Sequence, residues 1–229
     1  MTAAVSYERT REHLEALGLQ AALEGLDAAL ESGQKQERTT VEILDDLLTR
    51  ERDTRFERRV ATNLKLSGIA HARTLESFNF DAEVDVSKQL IAELATLRFM
   101  HQSENVLFLG PPGVGKSHLA TGLGLKAIEQ GHRVYFITLH DLVDRSRLAR
   151  QRDRLHHLSN TVTRPDLLVL DEVGYLPLEQ MDATFLFQIV SRRYEAGKPI
   201  ILTSNKSYGS WHDIFPDAIL ATALLDRLL

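Results

Sequence analysis

Glycine, lysine and serine occur at a fixed spacing near the middle of the chain, in the stretch "GPPGVGKSH". Gly110 and Gly115 are separated by four residues, and Lys116 and Ser117 follow directly. Glycines let a loop turn its backbone N–H groups inward, and a following helix directs its positive dipole end the same way. The lysine ammonium can then face two phosphates while the serine hydroxyl ligates Mg²⁺. The spacing therefore predicts a loop that binds the phosphates of a nucleotide.

The whole stretch is expected to contact the nucleotide, and Ser117 the magnesium ion as well. The predicted binding residues are Gly110, Pro111, Pro112, Gly113, Val114, Gly115, Lys116, Ser117 and His118.

Two carboxylates and an amide follow later apolar runs. Asp171 ends "LLVLD" and is expected to hold Mg²⁺ through water, while Glu172 can orient a water molecule for attack on the γ-phosphate. Asn205 follows "ILTS" and is predicted to contact both the γ-phosphate and that water. Hydrolysis is favoured over transfer to a small substrate, because no motif for an acceptor pocket accompanies these residues.

Arg227 lies in "ALLDRLL", which is predicted to be a helix. Its side chain is either an exposed helix charge or an arginine finger that reaches the nucleotide of a neighbouring copy. A finger of this kind would make hydrolysis depend on assembly of a homo-oligomer.

Four apolar runs without alternation must position these side chains. They are "NVLFLG", "RVYFITL", "DLLVLDE" and "PIILTSN", and they predict strands buried on both faces of a parallel sheet. Helical stretches near residues 87–102, 116–130, 140–158 and 179–196 precede and separate them. Repeated strand–helix–strand order predicts an α/β fold with a parallel sheet flanked by helices.

The N-terminal part has a different, helical periodicity. Residues 8–31 predict two short helices interrupted by Gly18 and Gly25, and residues 32–40 a polar linker from which Thr40 caps a third helix. The stretch "SFNFDAEVDV" breaks this pattern. We therefore expect a small helical domain over residues 1–75, for binding DNA or a partner, and an ATPase core over residues 76–229.

Composition excludes several classes of protein. The 229 residues include no cysteine, so disulfides, thiolate metal sites and cysteine nucleophiles are absent. The first residues lack the apolar core of a secretory signal, and no apolar run is long enough to span a bilayer. We therefore expect a cytoplasmic protein that does not enter the membrane.

Basic residues are concentrated in two places, although the formal net charge is −5. Residues 50–73 carry seven Lys or Arg against three acids, and residues 145–164 carry six Arg against one acid. Such patches are either solvated helix faces or contacts for double-stranded DNA without base-specific readout. The candidate DNA contacts are Arg55, Arg58, Arg59, Lys65, Arg145, Arg147 and Arg150.

Several longer stretches resemble one family, the IstB-like helper ATPases of bacterial transposition, which are AAA+ proteins similar to the DnaC helicase loaders. The stretches are "NVLFLGPPGVGKSHLATGLGLKAIEQGHRVYF", "DEVGYLPL", "SRRYE", "SNKSYGSWHDIF" and "ERDTRFERRVATNLKLSGIAHARTLESFNFD". The resemblance covers essentially the whole chain. It implies ATP and Mg²⁺ as cofactors, Asn205 as a sensor, Arg227 as the finger, and a DNA channel lined by the helix around residues 145–154.

The same resemblance implies the partners: duplex DNA, other copies of the chain, and a transposase to which a target site is delivered. Family members continue past "DRLL" into a lid with a second sensor arginine. We therefore expect a C-terminal truncation that leaves the lid largely absent, spares ATP binding, and weakens hydrolysis and assembly. Two alternatives stay open, a loader of a replicative helicase and a DNA-binding relic without an ATPase cycle. The basic run over residues 50–73 favours the transposition helper over the loader.

Overall fold

A computed structural model describes residues 3–71, 73–80, 86–175 and 177–229. The chain divides into two compact units, Met1–Ala61 and Thr62–Leu229. Among the described residues the helices are α1 (Ala3–Ala16), α2 (Gln20–Lys35), α3 (Thr40–Leu66), α4 (Lys88–Leu94), α5 (Arg98–Gln102), α6 (Lys116–Glu129), α7 (Leu139–Gln151), α8 (Leu155–Thr163), α9 (Gln180–Glu195) and α10 (Ala218–Leu228). The strands there are β1 (Val106–Leu109), β2 (Val134–Thr138), β3 (Leu167–Val173) and β4 (Ile200–Ser204). None of these helices is both long and apolar enough to cross a membrane.

The first unit is helical, as its periodicity predicts. Ala22, Leu26 and Leu47 form its small apolar core. The chain turns between α1 and α2 at Gly18, whose φ of 66° suits glycine. Gly25 does not interrupt α2. It is buried there, and a Cβ at that position would lie 3.0 Å from Cδ of Arg50.

The predicted linker is shorter than expected, because α2 continues to its end at Lys35. The cap of α3 is Thr39 and not Thr40. Thr39 Oγ1 accepts a hydrogen bond from the Glu42 amide at 3.3 Å, and the Glu42 carboxylate accepts one from the Thr39 amide at 2.7 Å. This reciprocal pair is a capping box.

A buried carboxylate joins α3 to the start of α2. Glu51 Oε2 accepts hydrogen bonds from the amides of Ala21 and Ala22 at 2.8 and 3.0 Å. These amides belong to the first turn of α2, where helix N–H groups have no partner within the helix. Arg55 donates to the other oxygen of Glu51 at 2.6 Å and to the Gly18 carbonyl at 2.8 Å. Burial acts to raise the pKa of Glu51, but these hydrogen bonds outweigh it and the pKa is lowered.

The second unit contains a parallel sheet with the strand order β1-β4-β3-β2. All four predicted strands are present, and β3 and β4 are the central ones. Leu168, Leu170, Ile200 and Leu202 belong to the main apolar core, as the continuous apolar runs predict. Because β1, β3 and β4 are parallel, their carboxyl ends lie at the same end of the sheet. The residues predicted for the phosphate site all lie at or after these ends.

Two predicted helices are each broken in two. The helix expected over 87–102 is interrupted at Leu97, which has a φ of 60°, and the helix after β2 is interrupted near Asp153, with a φ of 54°. The left-handed conformation at each position ends one helix and turns the chain into the next.

Residues 62–75 belong to the second unit, although the sequence places them in the N-terminal domain. The Asn63 amide donates to the carbonyls of Gly131 and His132 at 3.1 Å each, and the Ser67 carbonyl accepts from the Phe136 amide of β2 at 2.6 Å. The division in the structure therefore precedes the predicted boundary at residues 75 and 76.

Arg193 of α9 is fully buried in this unit. Its guanidinium donates to the carbonyls of Val162, Thr163, Pro165, Asp166 and Pro199. Burial lowers the pKa of Arg193 to about 10, an effect that the nearby Asp166 charge opposes. The bonds tie the end of α8 and the starts of β3 and β4 to α9. This arginine of the "SRRYE" stretch therefore fixes the positions of the residues that precede β3 and β4.

Glu51→Gln should lower the hydrogen-exchange protection of the Ala21 and Ala22 amides roughly fivefold at neutral pH, since an amide oxygen is a weaker acceptor than a carboxylate. In the wild type the Glu51 pKa lies below its ordinary 4.5. The stabilisation is therefore present above pH 4.5 and is lost as the pH falls through the lower native value. Exchange measured by mass spectrometry should show this loss only in the wild type. Glu57→Gln, an exposed change on the same helix, should behave like the wild type.

Candidate nucleotide-binding site

The phosphate loop runs from the end of β1 to the start of α6. Gly113 and Gly115 have φ values of 87° and 86°, which favour glycine. A Cβ at Gly115 would also collide with the ring of Phe78. Both the backbone conformation and the close contact therefore require glycine at this position. Lys116 Nζ donates to the Pro111 carbonyl across the loop at 2.7 Å. Burial lowers the pKa of Lys116, and the charge of Asp171 opposes that effect.

One carboxylate joins the loop helix to the two central strands. Asp171 is buried at the end of β3, and its Oδ1 accepts a hydrogen bond from Ser117 Oγ at 2.8 Å. The same oxygen accepts one from the Thr203 hydroxyl of β4. Ser117 and Asp171, predicted from separate motifs to hold one magnesium ion, are therefore adjacent. The sequence analysis did not predict a role for Thr203. Its signal was a hydroxyl-bearing residue within the otherwise apolar run of β4.

Glu172 follows in an unusual conformation. Its φ is 61°, its side chain is exposed, and its amide donates to Thr203 Oγ1 at 3.0 Å. Thr203 therefore both orients Asp171 and holds the backbone that directs the Glu172 side chain away from the sheet. A left-handed conformation at a non-glycine residue costs free energy and is found often at functional sites.

Asn205 lies after β4, beside Gly174, where a Cβ would be 3.1 Å from Asn205 Oδ1. This amide oxygen is buried, and it has no hydrogen-bond partner within the described part of the chain. Buried amide oxygens are normally paired. An unpaired amide oxygen at the carboxyl ends of the strands can accept a hydrogen bond from a water molecule, which fits one half of the predicted role.

The His118 side chain contacts the segment that precedes α4. Its Nε2 is 2.8 Å from the Thr74 carbonyl and 3.1 Å from Ser77 Oγ, and its ring packs edge-on against Phe78. The side chain therefore fixes the segment that precedes the core. The contact of Phe78 with the loop was also missed by the sequence analysis.

Arg227 lies far along the fold from the loop. Its carbonyl accepts from the Asn105 amide group at 3.1 Å, next to the start of β1, whereas the loop follows the end of β1. The guanidinium donates to the Ala223 carbonyl at 2.8 Å and lies 4.8 Å from the centre of the Phe187 ring.

The candidate DNA contacts of α3 differ in how they are engaged. Arg55 is bound to Glu51 and Gly18, and Arg59 lies 5.2 Å from the Phe56 ring centre. Arg58, also on α3, is exposed. Lys65, in the last turn of α3, is exposed and belongs to the second unit.

The candidate contacts of α7 also divide. Arg147 and Arg150 both donate to Asp182 of α9, at 2.8 and 3.1 Å, and the Asp182 side chain is only 1% exposed. Arg145 donates to the Tyr135 hydroxyl at 2.7 Å. Two of the three arginines therefore hold α7 against α9, a role that the charge count alone did not indicate.

A parallel sheet, a glycine loop that starts a helix, and an aspartate shared by Ser117 and a central strand together define a P-loop AAA+ fold. Residues 12–229 match the family described as IstB-like ATP binding protein. The chain belongs to this family, as the sequence resemblance predicted.

Related sequences come from insertion sequences. The chain is 44% identical over 222 residues to an ATP-binding protein of insertion sequence IS5376 from Geobacillus stearothermophilus, covering 97% of this chain and 88% of that protein. It is 42% identical over 204 residues to its counterpart of insertion sequence IS21 from Pseudomonas aeruginosa, covering 89% and 77%.

Solved structures of replication proteins share the fold. AMPPCP-bound DnaA from Aquifex aeolicus superposes with a TM-score of 0.60 at 22% identity, over 68% of this chain and 48% of that chain. The DnaC helicase loader superposes with a TM-score of 0.50 at 25% identity, over 68% and 90%. The AAA+ core predicted from the sequence is thereby confirmed.

Thr203→Val should weaken magnesium-dependent nucleotide binding about tenfold, because it removes the hydroxyl that orients the Asp171 carboxylate without changing side-chain volume much. Binding of a fluorescent ATP analogue in EDTA should change little. Thr203→Ser keeps the hydroxyl and should behave like the wild type. Equal magnesium dependence in the Val variant and the wild type would show that Thr203 does not position the metal site.

Proposed function

We propose that this chain is an ATP-driven switch that assembles on duplex DNA and assists a transposase encoded beside it in choosing the target site. The observation that carries the proposal is the hydrogen bond between Ser117 and Asp171 beneath a complete phosphate loop. Membership of the IstB-like family and the insertion-sequence origin of its relatives support the transposition role.

The donor atoms suit Mg²⁺. Ser117 Oγ and Asp171 Oδ1 are 2.8 Å apart, and both are hard oxygen ligands. Magnesium commonly keeps several waters and takes its other ligands from phosphates, so one hydroxyl and one carboxylate suffice from the protein. When bound, the ion would neutralise charge on the β- and γ-phosphates. Lys116, now bonded to the Pro111 carbonyl, would exchange that partner for phosphate oxygens.

Hydrolysis needs a group that orients water, and Glu172 is proposed for it. Its side chain is exposed next to Asp171, and its backbone is fixed by Thr203. Asn205 Oδ1, which has no partner within the described residues, would accept a hydrogen bond from the same water. The two residues thus orient the nucleophile, and no acceptor other than water is required.

Assembly of several copies is proposed from the position of Arg227. Its backbone lies by the start of β1, whereas the phosphate loop follows the end of β1, which supports a role at the nucleotide site of a neighbouring copy. Its packing against Phe187 of α9 fixes its backbone while leaving the guanidinium partly exposed. Hydrolysis would then proceed in the oligomer and not in the single chain.

Duplex DNA is the proposed polyanion. Arg58 and Arg59 of α3 and Arg145 of α7 have exposed side chains, so they are the first candidates for phosphate contacts. Three other arginines are proposed to stabilise the fold and not to contact DNA, since each donates to a carboxylate that joins two helices. They are Arg55, Arg147 and Arg150. Contacts of this kind would bind DNA of any sequence.

A helicase loader is the second candidate, and the superposition on the DnaC helicase loader favours it. The two functions predict different partners. A transposase reading frame next to the gene and binding to that transposase would support the first, whereas binding to a replicative helicase would support the second.

Glu172→Gln should bind ATP as the wild type does and hydrolyse it about 100-fold more slowly, because an amide cannot polarise the attacking water. Phosphate release in the presence of duplex DNA measures the loss, and a fluorescent ATP analogue measures binding. Lys116→Ala is the contrasting variant, and it should lose binding itself. Equal phosphate release by the Gln variant and the wild type would remove Glu172 from the mechanism.

Arg58→Gln combined with Arg59→Gln should weaken binding to two unrelated duplexes equally. The slope of log affinity against log salt should fall by about 1.8, since each phosphate contact contributes about 0.9. Arg55 is left intact because it supports the fold of the first unit. Lys35→Gln, a charge change at the end of α2, serves as the control. An unchanged slope would assign both arginines to a solvated helix face.

A further inference from the structure

Two buried polar atoms in the stretch after β4 lack hydrogen-bond partners. They are Oδ1 of Asn205 and the indole Nε1 of Trp211, and neither has a partner within the described residues. The amide oxygen accepts hydrogen bonds, whereas the indole N–H donates one. Buried polar groups are normally satisfied by protein or by ordered water, so each of these two atoms requires an explanation.

The indole ring of Trp211 has little freedom to turn. It is fully buried in the main apolar core, and its ring centre lies 5.9 Å from that of Phe215. The Trp211 carbonyl accepts hydrogen bonds from the amides of Ile214 and Phe215 at 3.0 and 3.2 Å, which fix the backbone as well. Because the packing of the ring sets the direction of its N–H group, the donor needs a partner close by.

The backbone turn that begins at Trp211 meets Asn205 beside Gly174. A Cβ atom at Gly174 would lie 3.1 Å from Asn205 Oδ1 and 2.9 Å from Cδ1 of Ile214. The Ile214 carbonyl also accepts a hydrogen bond from the Leu178 amide at 2.8 Å. Asn205, the turn after Trp211 and the segment that follows β3 therefore lie together around one glycine.

The orientation of the Asn205 amide matters for the proposed reaction. Its Oδ1 accepts hydrogen bonds, and its Nδ2 donates them. A γ-phosphate oxygen needs the Nδ2 donor, whereas the attacking water must donate to Oδ1. If the amide were turned over, its oxygen would face the phosphate and both contacts would be lost. A donor that holds Oδ1 in place would therefore favour the productive orientation.

We propose that Trp211 is a positioning residue for hydrolysis, and that its indole N–H fixes Asn205 Oδ1 through one buried water. This inference rests on the proposed function, in which Asn205 contacts the attacking water. An amide oxygen has two lone pairs, so it can accept from the bridging water and from the attacking water together. The bridge leaves Nδ2 free to donate to the γ-phosphate. Trp211 thereby raises the rate of hydrolysis without touching the nucleotide.

The first test removes the indole donor and keeps the shape of the ring. Trp211 is the one tryptophan of the sequence, so biosynthetic replacement of tryptophan by benzothienylalanine changes this position alone. In that analogue a sulfur atom stands in place of the indole N–H. The rate of hydrolysis at saturating ATP should fall about fivefold, as expected for one lost hydrogen bond. The affinity for a fluorescent ATP analogue should stay unchanged.

A second test shows whether Trp211 acts through Asn205. Asn205→Ala should slow hydrolysis about 100-fold, and benzothienylalanine in that variant should slow it no further. Ser191→Ala is the control, because the Ser191 hydroxyl of α9 is the other buried, unpartnered oxygen among the described residues. This control should hydrolyse ATP as the wild type does, and benzothienylalanine should still slow it fivefold.

The indole N–H also gives a direct signal. The NMR spectrum of the isotope-labelled chain contains one indole N–H cross-peak, because the sequence has one tryptophan. Without nucleotide, this cross-peak should shift in Asn205→Ala and keep its position in Ser191→Ala. The measurement does not require hydrolysis, so it tests the contact even in a chain that turns over no ATP.

Three results would overturn the inference. The first is hydrolysis at the wild-type rate with benzothienylalanine while Asn205→Ala is slow, which leaves the proposed function in place. The second is an equal slowing by benzothienylalanine in the wild type and in Asn205→Ala. The third is a cross-peak that moves in Ser191→Ala and not in Asn205→Ala, which would assign the indole donor to α9. Wild-type hydrolysis by Asn205→Ala would instead remove Asn205 from the proposed mechanism, and the inference with it.

Discussion

One oxygen atom, Oδ1 of Asp171, connects the three elements on which the site is built. It accepts hydrogen bonds from Ser117 at the start of α6 and from Thr203 of β4, and it lies at the end of β3. A buried carboxylate is costly unless it is hydrogen-bonded, so this atom fixes the relative positions of loop, helix and sheet. The same Thr203 oxygen accepts from the amide of Glu172. The backbone of the proposed water-orienting residue is thereby held by the same threonine that orients Asp171, a proposed metal ligand.

A second set of polar contacts holds the helices between β2 and β3 to α9. Asp182 of α9 accepts hydrogen bonds from Arg147 and Arg150 of α7. Arg192 donates to Ser159 of α8 at 2.7 Å, and Arg193 donates to carbonyls at the end of α8 and just beyond it. These bonds hold α7 and α8 against α9, whose first residue, Gln180, lies eight residues after Glu172 in the chain. Breaking both arginine contacts would leave the buried Asp182 carboxylate without its guanidinium partners.

Much of the fold could be predicted from the sequence, because apolar runs and glycine spacing depend on local rules. The four strands, the phosphate loop and the pairing of Ser117 with Asp171 are of this kind. The interruption at Leu97 and the contact of Phe78 with Gly115 could not be predicted in the same way. The first depends on a left-handed conformation at a residue that seldom adopts it, and the second on residues brought together by folding. The cap at Thr39 was missed although its signal is local, since Thr39 and Glu42 form the T-x-x-E pattern of a capping box. Thr203 could be predicted in part. Its polarity within an apolar run is visible in the sequence, whereas its bonds to Asp171 and to the Glu172 amide are not.

Charge was the least predictable property, and the reason is physical. A count of arginines cannot tell which of them are already paired, and pairing decides whether a cation attracts a ligand or stabilises the fold. Arg145 and Arg147 are two residues apart on α7, yet Arg147 is bound to the buried Asp182, while Arg145 donates to the hydroxyl of Tyr135 and forms no ion pair with the described carboxylates. A phosphate that displaced Arg147 from Asp182 would leave Oδ2 of this buried carboxylate without its guanidinium donors, at a cost that a solvent-exposed contact could not offset. Polyanions should therefore bind where cations face solvent without a carboxylate partner, and Arg145, exposed on α7 and bonded to a hydroxyl group, is a cation of that kind.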